Sequence, residues 1–482
     1  MSHYKPYPAY KDSGVEWIGR VPEHWETLRI KRVVQVRNER RNDSPVGWTY
    51  IGLEDVASES GRYMPTVGSS RQSEDSMVGV FLAGDVLYGK LRPYLRKAIV
   101  AEQDGVCSTE FLVLSEGRVK GPWLHRWLLT HEVTQQIEAG CDGAKMPRAD
   151  WEHVGSLPMP VPPATEQTAI AAALDRETAR IDALIAKKTR FIELLKEKRQ
   201  ALITHAVTKG LSGLRHSHES GNPESPATGS KALDSRMRGN DEGGCASGDD
   251  GMAVPMKDSG VEWIGAVPEH WTCVPIRRVA QLESGHTPSR LVPAYWENCT
   301  IPWFTLSDIW QVRKEGRVVV TETTEKVSEL GVANSSARKL PAGTVILSRT
   351  ASVGFPAIMG CEMATSQDFA AWICSKRLDN QFLYLALKAM RQELGRLTMG
   401  STHKTIYMPD IEQLRCPLPP IAEQRRIVAS VVRSTARIDS LGGAADRSIT
   451  LLKERRSALI TAAVTGQIDL RDAALPGKDT SA

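Results

Sequence analysis

The feature that most constrains this chain is an internal repeat. The block KDSGVEWIGRVPEHW at 11–25 returns as KDSGVEWIGAVPEHW at 257–271, with 14 of the 15 positions identical. A second pair of segments begins at Pro162 and Pro419 and aligns without a gap at an offset of 257 residues. Repeated segments around dissimilar stretches predict two copies of one architecture, in which only the framework is shared.

The second repeated segment predicts a long helix in each copy, over 161–210 and 419–466. Apolar residues recur every seven positions, as in the seam of a coiled coil, and a Pro-Pro pair precedes each helix. Two such seams are most simply buried against each other, and an antiparallel pair returns the chain towards its beginning. The residues assigned to the seam are Leu174, Ile181, Leu184, Leu195 and Leu202, and in the second helix Val431, Ile438, Leu441, Leu452 and Leu459.

Some repeated residues have two interpretations at this stage. The Glu-Gln pairs at 166–167 and 423–424 either cap the helix starts or contact a partner protein. The tryptophans of the repeated block, Trp17, Trp25, Trp263 and Trp271, are favoured as buried anchors over stacking platforms.

The stretches between the repeats mix short β-like runs with helical pieces, which favours α+β domains. We therefore expect an α+β chain with two domains of mixed α/β structure, separated by a pair of long antiparallel coiled-coil helices in a pseudo-twofold duplication. The expected segments are a first domain 1–160, a helix 161–210, a flexible Gly/Ser-rich linker 211–256, a second domain 257–418, a helix 419–466 and a disordered tail 467–482.

Composition restricts the function only weakly. A net charge of +4 permits a nucleic-acid partner without requiring one. The 8 cysteines have no CxxC spacing, so we expect reduced thiols and no zinc site. The amino-terminal residues do not resemble a signal peptide and no apolar run approaches the length of a membrane span, so we expect a cytoplasmic protein.

The sequence resembles the DNA-specificity subunits of type I restriction–modification systems over nearly its whole length. The resemblance is carried by the doubled DSGVEWIG.VPEHW block, by the PLPPIAEQ-type start of each long helix, and by ESGHTPSR with YWENCTIPWFTLSDI in the second domain. It implies that each domain binds one half of a split DNA sequence. It also implies that the helices set the spacer and dock the methyltransferase subunits.

The same resemblance implies the partners and cofactors. The expected partners are double-stranded DNA, two methyltransferase subunits and restriction/translocase subunits, which carry out adenine methylation and ATP-dependent cleavage. S-adenosylmethionine, ATP and Mg are expected in those partners and not in this chain. ESGHTPSR and IPW occur only in the second domain, so the two half-sites are expected to differ.

No catalytic residue is expected. The chain lacks an (N/D)PP(Y/F) tetrapeptide, a GxxxxGK(S/T) loop and a metal cluster, which argues against a methyltransferase or translocase active site. The alternative function is a non-catalytic coiled-coil scaffold that does not bind DNA.

Candidate DNA contacts are basic and polar residues on predicted loops, where cations meet phosphates and Arg can pair with guanine. Ordinary solvated turns are the alternative interpretation. The candidates are Lys90, Arg92, Arg96, Lys97, Lys145 and Arg148 in the first domain, and Arg290, Ser348, Arg349, Thr350, Ser401, Thr402, His403 and Lys404 in the second.

Overall fold

The structure is a computed structural model that describes residues 4–42, 45, 47–65, 77–141, 146–212, 254–398 and 404–471. It divides into two compact units. The first unit comprises Met1–Phe191 and Ala444–Ala482, and the second comprises Ile192–Gly443. Among the described residues, no helix is long and apolar enough to cross a membrane.

The first unit is built on two small sheets. One sheet has the strand order β5-β7-β10-β6 and the other β4-β11-β8-β9, and the helices α1–α3 follow them in the chain. The strands are β1 Tyr10–Asp12, β2 Arg20–Pro22, β3 Glu26–Arg29, β4 Gln35–Val36, β5 Arg40–Arg41, β6 Thr49–Ile51, β7 Val78–Phe81, β8 Val86–Gly89, β9 Ala98–Val100, β10 Gly105–Ser108, β11 Phe111–Ser115 and β12 Pro158–Val161. The helices are α1 Gly121–Leu128, α2 His131–Ala139, α3 Trp151–Ser156 and the long α4 Ala164–Lys209, which continues into the second unit.

The second unit repeats this plan with one larger sheet. The strand orders are β16-β23-β20-β21-β18 and β19-β17-β22. The strands are β13 Met256–Asp258, β14 Ala266–Pro268, β15 Thr272–Pro275, β16 Ala280–Ser284, β17 Ile301–Phe304, β18 Val319–Val320, β19 Glu325–Val327, β20 Val345–Ser348, β21 Pro356–Met359, β22 Ala364–Thr365, β23 Phe369–Cys374 and β24 Arg415–Leu418. The helices are α5 Trp310–Arg313, α6 Glu329–Ala333, α7 Asn380–Ala389, α8 Arg391–Arg396, α9 Met408–Gln413 and the long α10 Ile421–Val464, which continues into the first unit.

The repeated tryptophan block forms the same frame in both units. In each unit, the strand that follows the block pairs antiparallel with the last strand before the long helix. These pairs are β3 with β12 and β15 with β24. Trp25 and Trp271 are fully buried in these frames, as predicted for anchors. The indole nitrogen of each donates to the glutamate at the helix start, with 3.1 Å from Trp25 to Glu166 and 3.2 Å from Trp271 to Glu423.

The glutamine beside each glutamate is buried and fully engaged. The amide oxygen of Gln167 accepts from the backbone N–H of Lys120 at 2.8 Å, and its amide nitrogen donates to two backbone carbonyls. Gln424 makes the equivalent three bonds, beginning with the backbone N–H of Asp379 at 2.8 Å. The Glu-Gln pairs therefore attach each long helix to its own domain, because their bonds join the helix start to backbone and indole groups of that domain.

The long helices run antiparallel, as predicted. In the first unit the beginning of α4, with Leu174 and Ile181, shares a core with Leu459 near the end of α10. In the second unit Ile203 near the end of α4 shares a core with Val431 near the beginning of α10. Each unit therefore contains the start of one helix and the end of the other.

The seam follows spacings of four and three residues in both helices. Leu174, Ile181, Leu195, Leu202, Val431, Ile438, Leu452 and Leu459 lie on it and are buried or half-buried. The prediction was wrong for Leu184 and Leu441, which are 42% and 45% exposed. Packing selected instead the row that contains Thr178, Ile185, Ile192, Arg199 and Ala206, with the equivalent residues Thr435, Gly442, Ile449, Arg456 and Ala463, so this row holds polar as well as apolar side chains.

Two arginines on the seam carry equivalent ion pairs. Arg456 lies 3.1 Å from Asp182 in the first unit, and Arg199 lies 3.3 Å from Asp439 in the second. At the offset of 257 residues, Asp182 and Arg199 of the first helix correspond to Asp439 and Arg456 of the second, so the two ion pairs are equivalent. Burial lowers the pKa of Arg456, and the charge of Asp182 opposes that shift. These contacts explain why Asp182 and Asp439 are among the residues that the two helices share.

Residues 467–471, for which we expected disorder, are packed in the first unit. Ile468 and Leu470 are buried in its core. Asp469 forms an isolated β-bridge with Lys5, and its backbone N–H donates to the Lys5 carbonyl at 2.8 Å. The local composition favoured a disordered tail. The apolar residues at alternate positions are nevertheless buried in a core formed by distant parts of the chain. Residues 472–482 and most of the linker 211–256 lie outside the described residues.

Replacing Asp182 by alanine is expected to destabilise the protein by about 1–3 kcal/mol, because Arg456 would remain at the seam without its carboxylate. Asp182→Ala combined with Arg456→Leu should recover most of this stability, since leucine suits the seam. Thermal unfolding of the four proteins of the cycle measures the coupling. Arg118→Ala is the control, because Arg118 pairs with Glu26 at the surface. Additive effects of the two changes would contradict the assignment.

The buried His125 makes stability depend on pH. Burial lowers the pKa of His125 from 6.5 to about 3, and its Nε2 donates to the Ala98 carbonyl at 3.0 Å. The unfolded chain therefore binds the proton first as the pH falls. The stabilisation is complete above the unfolded value near 6.5 and is lost progressively towards pH 3.

We expect the free energy of unfolding to fall between pH 6.5 and 4 more steeply in the wild type than in His125→Gln, which keeps a donor without titrating. The difference in slope approaches about 1.4 kcal/mol per pH unit for one proton. Chemical denaturation at several pH values measures it, with His131→Gln at the exposed His131 as the control. Parallel slopes for wild type and His125→Gln would refute the assignment.

Candidate nucleic-acid interface

In the first unit, the loop after β8 is joined to the loop before α3. Leu91 and Arg148 form an isolated β-bridge between the two loops. The backbone N–H of Arg92 donates to Pro147 at 2.9 Å, and the N–H of Ala149 donates to Lys90 at 2.9 Å. Two segments that the sequence analysis singled out separately thus form one surface. Lys145 lies outside the described residues.

The predicted cations of this surface have different roles. Arg92 is exposed and adopts a left-handed backbone with φ 51°. Arg96 pairs with Glu59 at 2.9 Å, and the ammonium group of Lys97 donates to the Leu53 carbonyl at 2.7 Å. Arg96 and Lys97 therefore hold the loop in place, while Arg92 presents its charge to solvent.

Glu110 stands beside the remaining two cations. Arg148 is half-exposed and pairs with Glu110 at 3.0 Å. Lys90 is partly buried, and burial lowers its pKa, although the charge of Glu110 acts in the opposite direction. Glu110 therefore reduces the positive charge that this part of the surface presents to an anion.

The second unit joins its loops in the same way. Thr350 and Thr405 form the equivalent isolated β-bridge. The backbone N–H of Ala351 donates to Lys404 at 2.9 Å, and the N–H of Ile406 donates to Arg349 at 2.8 Å. Lys404 is exposed. The predicted residues Ser401, Thr402 and His403 lie outside the described residues.

Two of the predicted contacts in this unit are engaged within the protein. Ser348 is fully buried, and its hydroxyl bonds to Ser352 and accepts from the backbone N–H of Phe355 at 3.1 Å. Arg349 donates from Nε to the Gln367 carbonyl at 3.0 Å and from a terminal nitrogen to the Ile406 carbonyl at 3.2 Å. Ser348 is therefore absent from the surface of the free protein, and Arg349 braces the loops.

Arg290 is also partnered. Its guanidinium lies 3.8 Å from the centre of the Trp296 ring and pairs with Glu325 at 2.5 Å. The same loop reaches the neighbouring turn, because the Thr287 hydroxyl donates to the side-chain oxygen of Gln367 at 2.7 Å. The ESGHTPSR segment thus belongs to the same loop cluster as Arg349 and Gln367.

A basic cleft of about 390 Å³ opens beside this loop cluster, and the sequence analysis missed most of it. Three exposed cations line it, from the end of α5, the start of α8 and the bridged loop: Arg313, Arg391 and Lys404. No carboxylate is among its lining residues in the described part of the chain. Three cations without a lining acid favour a bound anion such as a phosphate. No sequence pattern connects these three positions, so only the fold could reveal the cleft.

A further shared turn precedes β11 in the first unit and β23 in the second. The hydroxyls of Ser108 and Ser366 each accept from the backbone N–H two residues later, at 3.2 Å and 3.4 Å. The carbonyls of Glu110 and Asp368 accept from the backbone N–H groups of Lys90 and Arg349, at 2.8 Å and 2.9 Å. The central residue differs: it is Thr109 in one unit and Gln367 in the other. One backbone arrangement therefore carries two different side chains.

The described residues contain no group of His, Cys, Asp and Glu side chains that could hold a metal ion. The interface consists of hydrogen-bonding and cationic groups on braced loops, which suits recognition of a polyanion.

Comparison with known proteins finds similar sequences and one matching domain. Residues 268–440 match the family described as "Type I restriction modification DNA specificity domain". The MjaIX specificity subunit of Methanocaldococcus jannaschii is 27% identical over 34% of this chain and 38% of its own length, so that match spans less than half of the relative. The HindI specificity subunit of Haemophilus influenzae is 24% identical over 66% of this chain and 73% of its own length.

A solved chain supports the fold over almost the full length. It comes from a study of complex assembly and conformational transition of the type I R-M system, and it superimposes with a TM-score of 0.67 and 19% sequence identity. The superposition covers 93% of this chain and 99% of that chain. Residues 268–440 therefore match a DNA specificity domain, and the chain as a whole is similar to type I restriction enzyme specificity subunits.

Proposed function

We propose that this chain is the recognition subunit of a type I restriction–modification complex, and that each unit binds one half of a split, asymmetric DNA sequence. The observation that carries the proposal is the doubled loop bridge, Leu91 with Arg148 and Thr350 with Thr405, on an otherwise shared frame. Both bridges gather cations and hydroxyls at one surface of their unit. A scaffold without a DNA ligand would not need divergent polar loops on a conserved frame.

The two units are proposed to recognise different half-sites. The first carries Arg92 and Thr109 on its loops, and the second carries Gln367 and the basic cleft. Base edges in the major groove present distinct donor and acceptor patterns, so different side chains on equivalent loops select different bases. Phosphate contacts from cations such as Arg391 would position the duplex without reading its sequence.

The helices are proposed to dock two methyltransferase subunits. Leu184 and Leu441 occupy equivalent positions of the repeat, and both are exposed. Leu194 and Leu451 form a second equivalent pair and are 46% and 64% exposed. Exposed leucines at equivalent positions of a repeat suit two copies of one partner, because each copy meets the same apolar groups. Chemistry would belong to those partners and to the restriction/translocase subunits, which would hold S-adenosylmethionine, ATP and Mg.

Sequencing genomic DNA for methyladenine, with and without this gene, tests the proposed function. We expect a split motif with unequal halves that is present only when the gene is intact. A third strain carries the gene with Lys404→Glu and Arg391→Glu. This variant should show weaker methylation, because it would place acidic side chains beside the DNA backbone. A gene-dependent motif with two identical halves would contradict the asymmetry. Absence of any gene-dependent motif, together with no DNA binding by the assembled complex, would favour the scaffold.

The cleft gives a separate prediction on salt dependence. Arg391→Ala in the assembled complex should weaken binding to all DNA sequences and reduce the slope of log affinity against log salt by roughly 0.9 for each phosphate that is no longer neutralised. Titrations at several salt concentrations measure the slope. Arg396→Ala is the matched control, because Arg396 lies on the same helix but pairs with Glu393 at 2.7 Å. Equal slopes for Arg391→Ala and wild type would exclude a phosphate at the cleft.

A further inference from the structure

The turn around Gln367 has the properties of a base-reading site. It lies between Arg349, whose Nε donates to the Gln367 carbonyl at 3.0 Å, and Thr287, whose hydroxyl donates to the Gln367 side-chain oxygen at 2.7 Å. The side chain is nevertheless exposed. Gln367 is thus held at its backbone and oriented at its amide, while the amide nitrogen is directed away from the Thr287 bond. Such preorganisation lowers the entropy that a flexible glutamine would lose on binding.

Comparison of the two units separates the support of this turn from its variable part. The serine and the acid on either side make the same backbone contacts in both units, at Ser108 and Glu110 and at Ser366 and Asp368. Only the central residue changes in kind. Thr287, which orients Gln367, belongs to the ESGHTPSR segment that occurs only in the second unit. Thr287 and Gln367 therefore occur together, in the second unit.

A basic cleft that would suit a nucleic-acid phosphate lies beside the loops around this turn. Arg349, which braces Gln367, also donates to the Ile406 carbonyl at 3.2 Å, and the neighbouring bridged loop contributes Lys404 to the basic cleft. Phosphate held by the cleft would bring the base edges of the same duplex towards the loops beside it. The groups available there include the uncharged amide of Gln367, which can both donate and accept hydrogen bonds.

We propose that Gln367 is a specificity-determining residue that reads an adenine in the half-site of the second unit. A glutamine amide pairs with adenine by donating to N7 and accepting from N6, and no other base offers that pair in the major groove. In the structure the Thr287 hydroxyl donates to the amide oxygen, and that oxygen retains a second lone pair for N6. Thr287 acts as a positioning residue. This inference rests on the proposed DNA-recognition function.

The test is methyladenine sequencing in strains that carry the wild-type gene, Gln367→Ala or Gln281→Ala. Gln281 is the matched control, an exposed glutamine of the same unit that bonds to Glu283 at 2.6 Å. We expect Gln367→Ala to keep the motif except at one A·T position of one half-site, where other bases become accepted. Discrimination at that position should fall by about 10- to 100-fold, which corresponds to one bidentate base contact. Gln281→Ala should leave the motif unchanged.

Thr287→Val provides a second readout, because it removes the orienting hydroxyl and keeps the shape of the side chain. It should relax the same position as Gln367→Ala, to a smaller degree. A motif that is unchanged in both variants, or one that relaxes at a G·C position, would overturn the assignment of adenine to Gln367. If the wild-type gene has no dependent motif, binding of the assembled complex to random DNA pools, with and without Gln367→Ala, replaces the methylation readout. No DNA binding by the wild-type complex would refute the proposed function, whereas a bound motif that Gln367→Ala leaves unchanged would refute only the role of Gln367.

Discussion

Neither long helix buries its apolar seam alone, and this constraint organises the rest of the chain. Isolated helices of this kind gain little stability in water, so each seam must find a partner. The antiparallel solution places the start of one helix beside the end of the other within each unit. The two α+β domains are then attached to the helix starts by buried glutamine amides and by indole–carboxylate bonds.

The duplication separates what must be constant from what is free to change. The frames, the helix starts and the seam ion pairs repeat closely, because their contacts are made within the protein. The loops beyond β8 and β20 repeat only in their backbone bridges. Their side chains diverge, and the proposed binding of two different half-sites would account for that divergence. Under this proposal, a change of target would require new loop side chains but no new fold.

The sequence predicted the duplication, the antiparallel helices and the position of the loops, because these depend on periodicity and on repeated letters. It could not choose between Leu184 and Ile185 for the seam, since both residues are apolar and only packing decides. It also could not find Arg391, whose partners in the basic cleft come from distant parts of the chain. Nor could it separate Arg92, which is exposed, from Arg96 and Lys97, which bond within the protein. Local sequence shows charge but does not show which carbonyls or carboxylates will satisfy it.

The core of the first unit is completed by the last described residues of the chain. Leu459, Ile468 and Leu470 pack with Ile181 and Trp25, although they are synthesised long after Ile181, once the whole second domain has been made. At about 5–20 residues per second this delay is on the order of tens of seconds. The core of the first unit therefore cannot be completed until the second domain has been made, and damage near residue 470 would be felt at the tryptophan frame at the opposite end of the sequence.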